Sequence, residues 1–299
     1  MNTVQASIPA FLHREAREGA VSRDRSIGAI LIDAGRLRPE GAEQILRLQK
    51  EEGLRFGEAG IKLGLITEAD IHQALSRQFD YSYLLPGESS VSEELVAAYN
   101  PFSPQVEALR GLRSQLMLRW FTGEPEKKAL AVVSPDRGEG RSYLAANLAV
   151  VFSQLGEHTL LIDADMRHPR QHALFNLTNK SGLSSILAGR GESQAVQRIP
   201  AFQDLSILPA GATPPNPQEL LGRPMFSKLL EELALEFDIV IVDTPATASG
   251  ADAQTIAVRA GAAMMVARKN ESRLEDLQQL GSGLRQASAN VVGVVLNDF

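Results

Sequence analysis

The 299-residue chain contains no cysteine, one tryptophan, four tyrosines, and no apolar run long enough to cross a bilayer. Without cysteine there is no disulfide framework and no thiolate-ligated zinc site. The longest apolar stretches, such as 129–133 and 239–242, have the length of strands, far short of the roughly 18 residues a spanning helix needs. The first residues show no apolar core followed by a small-residue cleavage site, so the expectation is a cytoplasmic protein with no membrane span of its own. The net charge of −6 argues against a general nucleic-acid binder, which is usually basic. What the chain does have is 44% hydrophobic and 22% charged residues, the composition of a core-forming globular protein, at a length that suits two domains.

Two unlike parts follow a short N-terminal segment, residues 1–24, expected to be flexible. Residues 25–85 contain an internal repeat at an offset of 29 residues, in which Ile27 aligns with Phe56, Gly28 with Gly57, Gly35 with Gly64, Leu46 with Leu75 and Gln49 with Gln78. Each copy predicts two short helices. Gly35 and Gly64 stop the first by adopting a left-handed conformation, and Thr67 with Asp70 three residues on caps the second in the later copy. Residues 86–105, rich in Ser, Pro and Gly at both ends, read as a linker with a short helix inside.

From 106 to 299 strand and helix signals alternate. The expected strands are 129–134, 159–163, 205–209, 239–243, 263–267 and 291–296. Most are continuously apolar, as strands buried on both faces should be. The fold class is therefore α/β, a doubly wound, mostly parallel sheet, preceded by a small, mainly helical domain.

The segment 129–152 reads as a buried strand, a glycine turn and a helix. Gly138 and Gly140 let main-chain N–H groups approach phosphate, and the helix beginning near Arg141 and Ser142 adds its positive end. Ser142 stands where a hydroxyl ligates Mg²⁺, while Arg141 stands where the usual phosphate loop has lysine and Pro135 where it begins with glycine. Two acidic clusters end neighbouring strands, Asp163 with Asp165 and Asp243. Ligands of doubly wound sheets bind at the carboxyl ends of strands. Carboxylates gathered beside phosphates would repel them without a divalent cation and hold them with one.

Residues 106–299 resemble the bacterial tyrosine kinases associated with polysaccharide chain-length determinants, within the wider class of partition- and septum-type P-loop ATPases. The likeness is carried by Glu107, Arg110 and Arg113 of an oligomerisation helix, by the 138–142 phosphate loop, by Asp163-Ala-Asp165-Met-Arg167, by the proline-rich stretch 208–221 and by 239–245. Stand-alone exopolysaccharide kinases of the EpsG type look most alike. The resemblance implies ATP and Mg²⁺ as cofactors and transfer of the γ-phosphoryl group to a tyrosine. It implies catalytic roles for Arg141, Asp163 and Asp165, with Asp163 taking or orienting the tyrosine proton. Nucleotide contacts would come from Gly138, Glu139, Gly140, Arg141, Ser142, Tyr143, Arg167 and Asn297, the last at the base. Metal ligation would fall to Ser142, Asp165 and Asp243. The implied partners are a membrane-embedded chain-length determinant, which would recruit the chain to the inner membrane, and further copies of the chain itself.

The repeat in 25–85 is similar to the MshE-type N-terminal domain of secretion and pilus ATPases, whose two 24-residue motifs joined by five residues match 26–49, 50–54 and 55–78 here. That resemblance implies cyclic di-GMP as a ligand of Ile27, Gly28, Arg55, Phe56, Gly57 and Gln78. Ser26 stands where the first motif would place an arginine. Two other readings remain beside the kinase. One is a catalytically silent nucleotide-binding scaffold, which Arg141 and the lack of a tyrosine-rich tail favour. The other is a regulatory ATPase of the partition type, against which Asp136 stands where that class usually carries a second lysine.

Overall fold

The computed structural model describes residues 26–78, 83–85, 87, 89–190 and 195–299. Residues 1–24 and Tyr81 lie outside the described residues. The chain forms two compact units divided between Tyr83 and Leu84.

Among the described residues the N-terminal unit holds four helices, α1 (Ile27–Asp33), α2 (Pro39–Glu52), α3 (Phe56–Lys62) and α4 (Glu68–Gln78). Its core shows the repeat directly: Ile30 and Ala59, Leu37 and Ile66, and Ile45 and Ala74 are all buried. Gly35 and Gly64 follow α1 and α3 with φ of 68° and 67°, a conformation that costs a residue with a Cβ about 1 kcal/mol or more. The Thr67–Asp70 cap is reciprocal: the Thr67 N–H donates to Asp70 Oδ2 at 2.9 Å and the Asp70 N–H to Thr67 Oγ1 at 3.2 Å.

The second unit begins with α5 (Val96–Tyr99) and α6 (Pro104–Arg119), then β1 (Ala129–Val133), α7 (Arg141–Ser153), β2 (Thr159–Asp163), α8 (Gln171–Leu174) and α9 (Leu183–Leu187). It continues through β3 (Gln197–Arg198), β4 (Leu205–Leu208), α10 (Pro217–Gly222), α11 (Pro224–Glu236), β5 (Ile239–Asp243), α12 (Asp252–Ala260), β6 (Ala262–Arg268), α13 (Leu274–Gln286) and β7 (Asn290–Asn297). The sheet order is β3-β4-β2-β5-β1-β6-β7. Every pairing is parallel except β3 with β4. The short β3 had no sequence signal, because two residues at a sheet edge carry no periodicity. Helices cover both faces: one apolar core lies under α5, α6 and α7, the other under α11, α12 and α13.

Residues 89–104, expected as a linker, are part of the first of these cores. Leu95, Ala97, Ala98 and Tyr99 are buried. Asn147, wholly buried on α7, accepts the Ala97 N–H at 2.9 Å and donates to the Glu94 carbonyl at 3.2 Å. Proline and serine made the stretch look like a spacer, but they cap and start α6: Ser103 Oγ accepts the Val106 N–H and Pro104 occupies the first helical position. Among the described residues no helix is long and apolar enough to cross a membrane.

Candidate active site

The three adjacent strands β2, β5 and β1 end at one edge of the sheet, and the register pairs Asp163 directly with Asp243. The loop between β1 and α7 arches over this edge. Gly138 and Gly140 take φ of 79° and 91°, as the sequence required for a loop that turns its N–H groups inward.

Arg141 is buried and occupied. Its Nε donates to the Thr244 carbonyl and Nη1 to the Asp136 carbonyl, both at 2.8 Å, and Nη1 also binds Ser134 Oγ. The guanidinium thus ties the loop to the end of β5. Its positive charge opposes the rise that burial imposes on the Asp243 carboxyl. Glu139, also buried, accepts the Asp136 N–H at 2.8 Å and a bond from Ser272 Oγ, which fixes the loop to the β6–α13 connection. Tyr143 is half-buried, its hydroxyl enclosed without a partner among the described residues, and burial raises its pKa.

Asp163 and Asp243 are both fully buried, and burial pushes both carboxyls up. Asp163 is held well above the usual range by desolvation and by the charge of Asp243. The Asp163 oxygens accept three main-chain N–H groups, from Asp165 at 3.2 Å and from Arg170 and Gln171 at 2.9 Å each. Its contacts are those of a residue that shapes the 163–171 turn. Asp165 accepts the N–H groups of Arg167 and His168 at 3.1 and 2.9 Å.

Asp243 differs. Its Oδ2 accepts from Gln171 Nε2 at 2.7 Å, while Oδ1 has no hydrogen-bond partner among the described residues. The Ser142 hydroxyl stands beside this carboxylate and lowers its pKa. A buried carboxylate oxygen with nothing to accept is the signature of a group kept for a ligand. The pair Ser142 and Asp243 fits Mg²⁺, which is commonly held by one or two protein oxygens with phosphates and water completing six. Among the described residues no three His, Asp or Glu side chains form a ready cage for a metal ion. Asp165, 6% exposed, stands close enough that its charge helps raise both Asp163 and Asp243.

Two residues expected at the nucleotide have protein partners of their own. Asn297, expected at the base, donates from Nδ2 to the Glu139 carbonyl at 2.8 Å, bracing the loop from the end of β7. Arg167, also expected at the nucleotide, pairs with Asp252 on α12, Nε to Oδ2 at 2.8 Å. Neither Asp252 nor Gln171 carried a sequence signal. Their roles come from a contact 85 residues away in the first case and 72 in the second.

On α6, Arg110 pairs with Glu107 of the same helix at 3.1 Å, and Arg113 Nη1 donates to the Val151 carbonyl at 2.8 Å. Of the three residues expected at an oligomer interface, Glu107 is the exposed one. In the N-terminal unit, Gly28 lies against the Phe56 ring, where a Cβ would come within 3.0 Å of it, and Gly57 against Ile71 at 2.7 Å. These glycines make room for packing. Ser26 Oγ caps α1 by accepting the Ala29 N–H, and Arg55 is exposed. Ile27 and Gln78 are half-buried on α1 and α4.

A P-loop, two acidic strand ends and a parallel sheet of this order define a P-loop nucleotide-binding domain. The family model ParA, described as NUBPL iron-transfer P-loop NTPase, matches residues 126–298. The chain is 32% identical over 209 residues to tyrosine-protein kinase YwqD of Bacillus subtilis, covering 70% of this chain and 87% of that protein. It is 36% identical over 206 residues to tyrosine-protein kinase wzc of Salmonella typhimurium, covering 69% of this chain but only 28% of that longer protein. The solved kinase domain of Escherichia coli tyrosine kinase ETK superposes with a TM-score of 0.65 at 33% identity, over 68% of this chain and 79% of that one. The chain belongs to the family of bacterial tyrosine-protein kinases built on a ParA-type P-loop domain.

Proposed function

We propose that the chain is an ATP-dependent protein-tyrosine kinase that regulates the polymerisation and export of an exopolysaccharide. The observation that carries the reading is the Asp243 carboxylate, buried at the end of β5 beside Ser142, with no hydrogen-bond partner at Oδ1 among the described residues. Main-chain N–H groups of 138–142 bind the phosphates, and the start of α7 adds its positive end. Ser142 and Asp243 would hold Mg²⁺, which would supply positive charge to the phosphates. Arg141 keeps the loop closed on β5 and contributes its charge from beneath it. Asp163 and Asp165 shape the turn along which the acceptor hydroxyl enters.

The acceptor tyrosine is placed on another chain, since among the described tyrosines Tyr83 has its hydroxyl donated to the Ala69 carbonyl at 3.4 Å and the other two are less accessible. Tyr99 is buried with its hydroxyl donated to the Val91 carbonyl, and Tyr143 is enclosed in the loop. A membrane-embedded chain-length determinant is the proposed partner that recruits the kinase to the inner membrane, and α6 the proposed contact between copies. A Glu107→Arg variant that keeps the wild-type mass in light scattering would remove α6 from that role.

The N-terminal unit is proposed as a helical module through which a partner or cyclic di-GMP acts on the kinase. For the dinucleotide, only the second motif begins with a cation, Arg55, where the first begins with Ser26. Calorimetry with cyclic di-GMP on wild type and Arg55→Ala separates the two ligand classes, since heat lost in the variant identifies the nucleotide.

The test of the main reading is MgATP binding by calorimetry, followed on the same samples by transfer of labelled phosphate to tyrosine in the presence of the membrane partner. Binding with transfer supports the kinase. Binding without transfer moves the reading to a nucleotide-binding scaffold, and no binding at millimolar nucleotide overturns both.

A further inference from the structure

Gln171 belongs to none of the nucleotide-binding motifs, yet it touches all three segments that build the site. It is the first residue of α8 and is wholly buried. Its main-chain N–H donates to Asp163 Oδ2 at 2.9 Å. Its carboxamide Nε2 donates to Asp243 Oδ2 at 2.7 Å and to the Ser142 carbonyl at 3.1 Å. Both side-chain partners are acceptors, so the amide can point only its nitrogen at them, and its orientation is fixed by chemistry. The remaining atom, Oε1, is buried without a partner among the described residues.

This arrangement decides which oxygen of Asp243 is spent. The Gln171 amide occupies Oδ2, which leaves Oδ1 as the oxygen available beside Ser142. The second amide hydrogen holds the Ser142 main chain, so the hydroxyl and the carboxylate are referred to one side chain. We propose that Gln171 is a positioning residue of the phosphoryl-transfer site: it sets the Asp243 carboxylate against Ser142 so that the two receive Mg²⁺ together. This rests on the reading of Ser142 and Asp243 as the metal ligands. Outer partners that orient a ligating carboxylate typically change metal affinity by about 10–100-fold when removed.

The experiment measures ADP binding by calorimetry with and without Mg²⁺, for wild type, Gln171→Met and Gln171→Asn, with a melting temperature for each. Met keeps the length without the amide, and Asn keeps the amide on a shorter stem. In both, the affinity for metal-free ADP should fall by less than the Mg²⁺ enhancement does, because the variants remove one bond to the Ser142 carbonyl and leave the glycine turns of the loop unchanged. The enhancement by Mg²⁺ should fall about 10–100-fold. An enhancement equal to wild type overturns the proposal, as does a parallel loss of both affinities with a collapse in melting temperature, which would mark Gln171 as a packing residue. A wild-type protein that binds ADP with no response to Mg²⁺ would overturn the metal reading itself, and the role of Gln171 with it.

Discussion

Asp252, at the start of α12, receives Arg167 Nε at 2.8 Å, joining the turn after β2 to the segment after β5. Asp252 is 1% exposed and its Oδ1 has no partner among the described residues, whereas Arg167 keeps about a third of its side chain in solvent. The buried carboxylate therefore holds the arginine by one nitrogen and leaves the rest of the fork at the mouth of the site. Both Asp252→Ala and Arg167→Ala should slow phosphoryl transfer. Because they break one pair, the double variant should be little slower than the worse single one, and a full double-mutant cycle on kcat checks this. Additive losses would show that the two residues act separately.

Arg141 gives a prediction of opposite sign for two substitutions. Arg141→Ala strips donors from the Thr244 and Asp136 carbonyls, which should cost about 2–3 kcal/mol of stability and weaken MgATP binding together. Arg141→Lys loses the fork but keeps a charge on a single head that the two carbonyls cannot both retain. Phosphoryl transfer in Arg141→Lys is expected to match or exceed wild type, with a lower melting temperature. A rate below that of the wild type would show that the fork itself is needed.

Gly140 carries φ of 91°, and a Cβ there would overlap the Asn297 amide and meet the Phe299 ring at 3.1 Å. Gly140→Ala should cost about 1–3 kcal/mol from the backbone alone. It should also weaken MgADP binding by displacing the Asn297 brace from the Glu139 carbonyl. Asn297→Ala, which removes the brace without straining the backbone, should show the smaller loss in calorimetry and in thermal melting.

Glu157, after α7, has its carboxyl raised by burial and by Asp238, against the opposing charges of Arg113 and His158. A carboxyl whose folded pKa exceeds its unfolded one binds a proton more tightly in the folded state. Its contribution then falls as pH rises through the unfolded value and on to the folded one. Glu157→Gln should raise the melting temperature at pH 7, with the gain shrinking below about pH 4, where the wild-type carboxyl is protonated in both states. A constant gain across the range would point to packing instead.

The sequence by itself determined the parallel sheet, the phosphate loop and the repeat. Strands buried on both faces must be apolar along their run, as 129–133, 160–162 and 239–242 are. Left-handed turns need glycine, as at 35, 64, 138 and 140. It also placed Asp163, Asp165 and Asp243 at strand ends, because a carboxylate that closes an apolar run is a local signal. Tertiary structure alone decided what each of those groups touches. Residues 89–104 look like a spacer in composition, and only Asn147, some fifty residues away, turns them into core. Asn297 braces a loop it follows by 158 positions, and Arg167 finds Asp252 across 85. Gln171 takes the Asp243 Oδ2 from 72 residues away, and Oδ1 has no partner among the described residues. Periodicity and turn chemistry act over a few residues and are written in the sequence. Hydrogen bonds between distant segments depend on where the folded chain brings their donors and acceptors, and no local pattern encodes that.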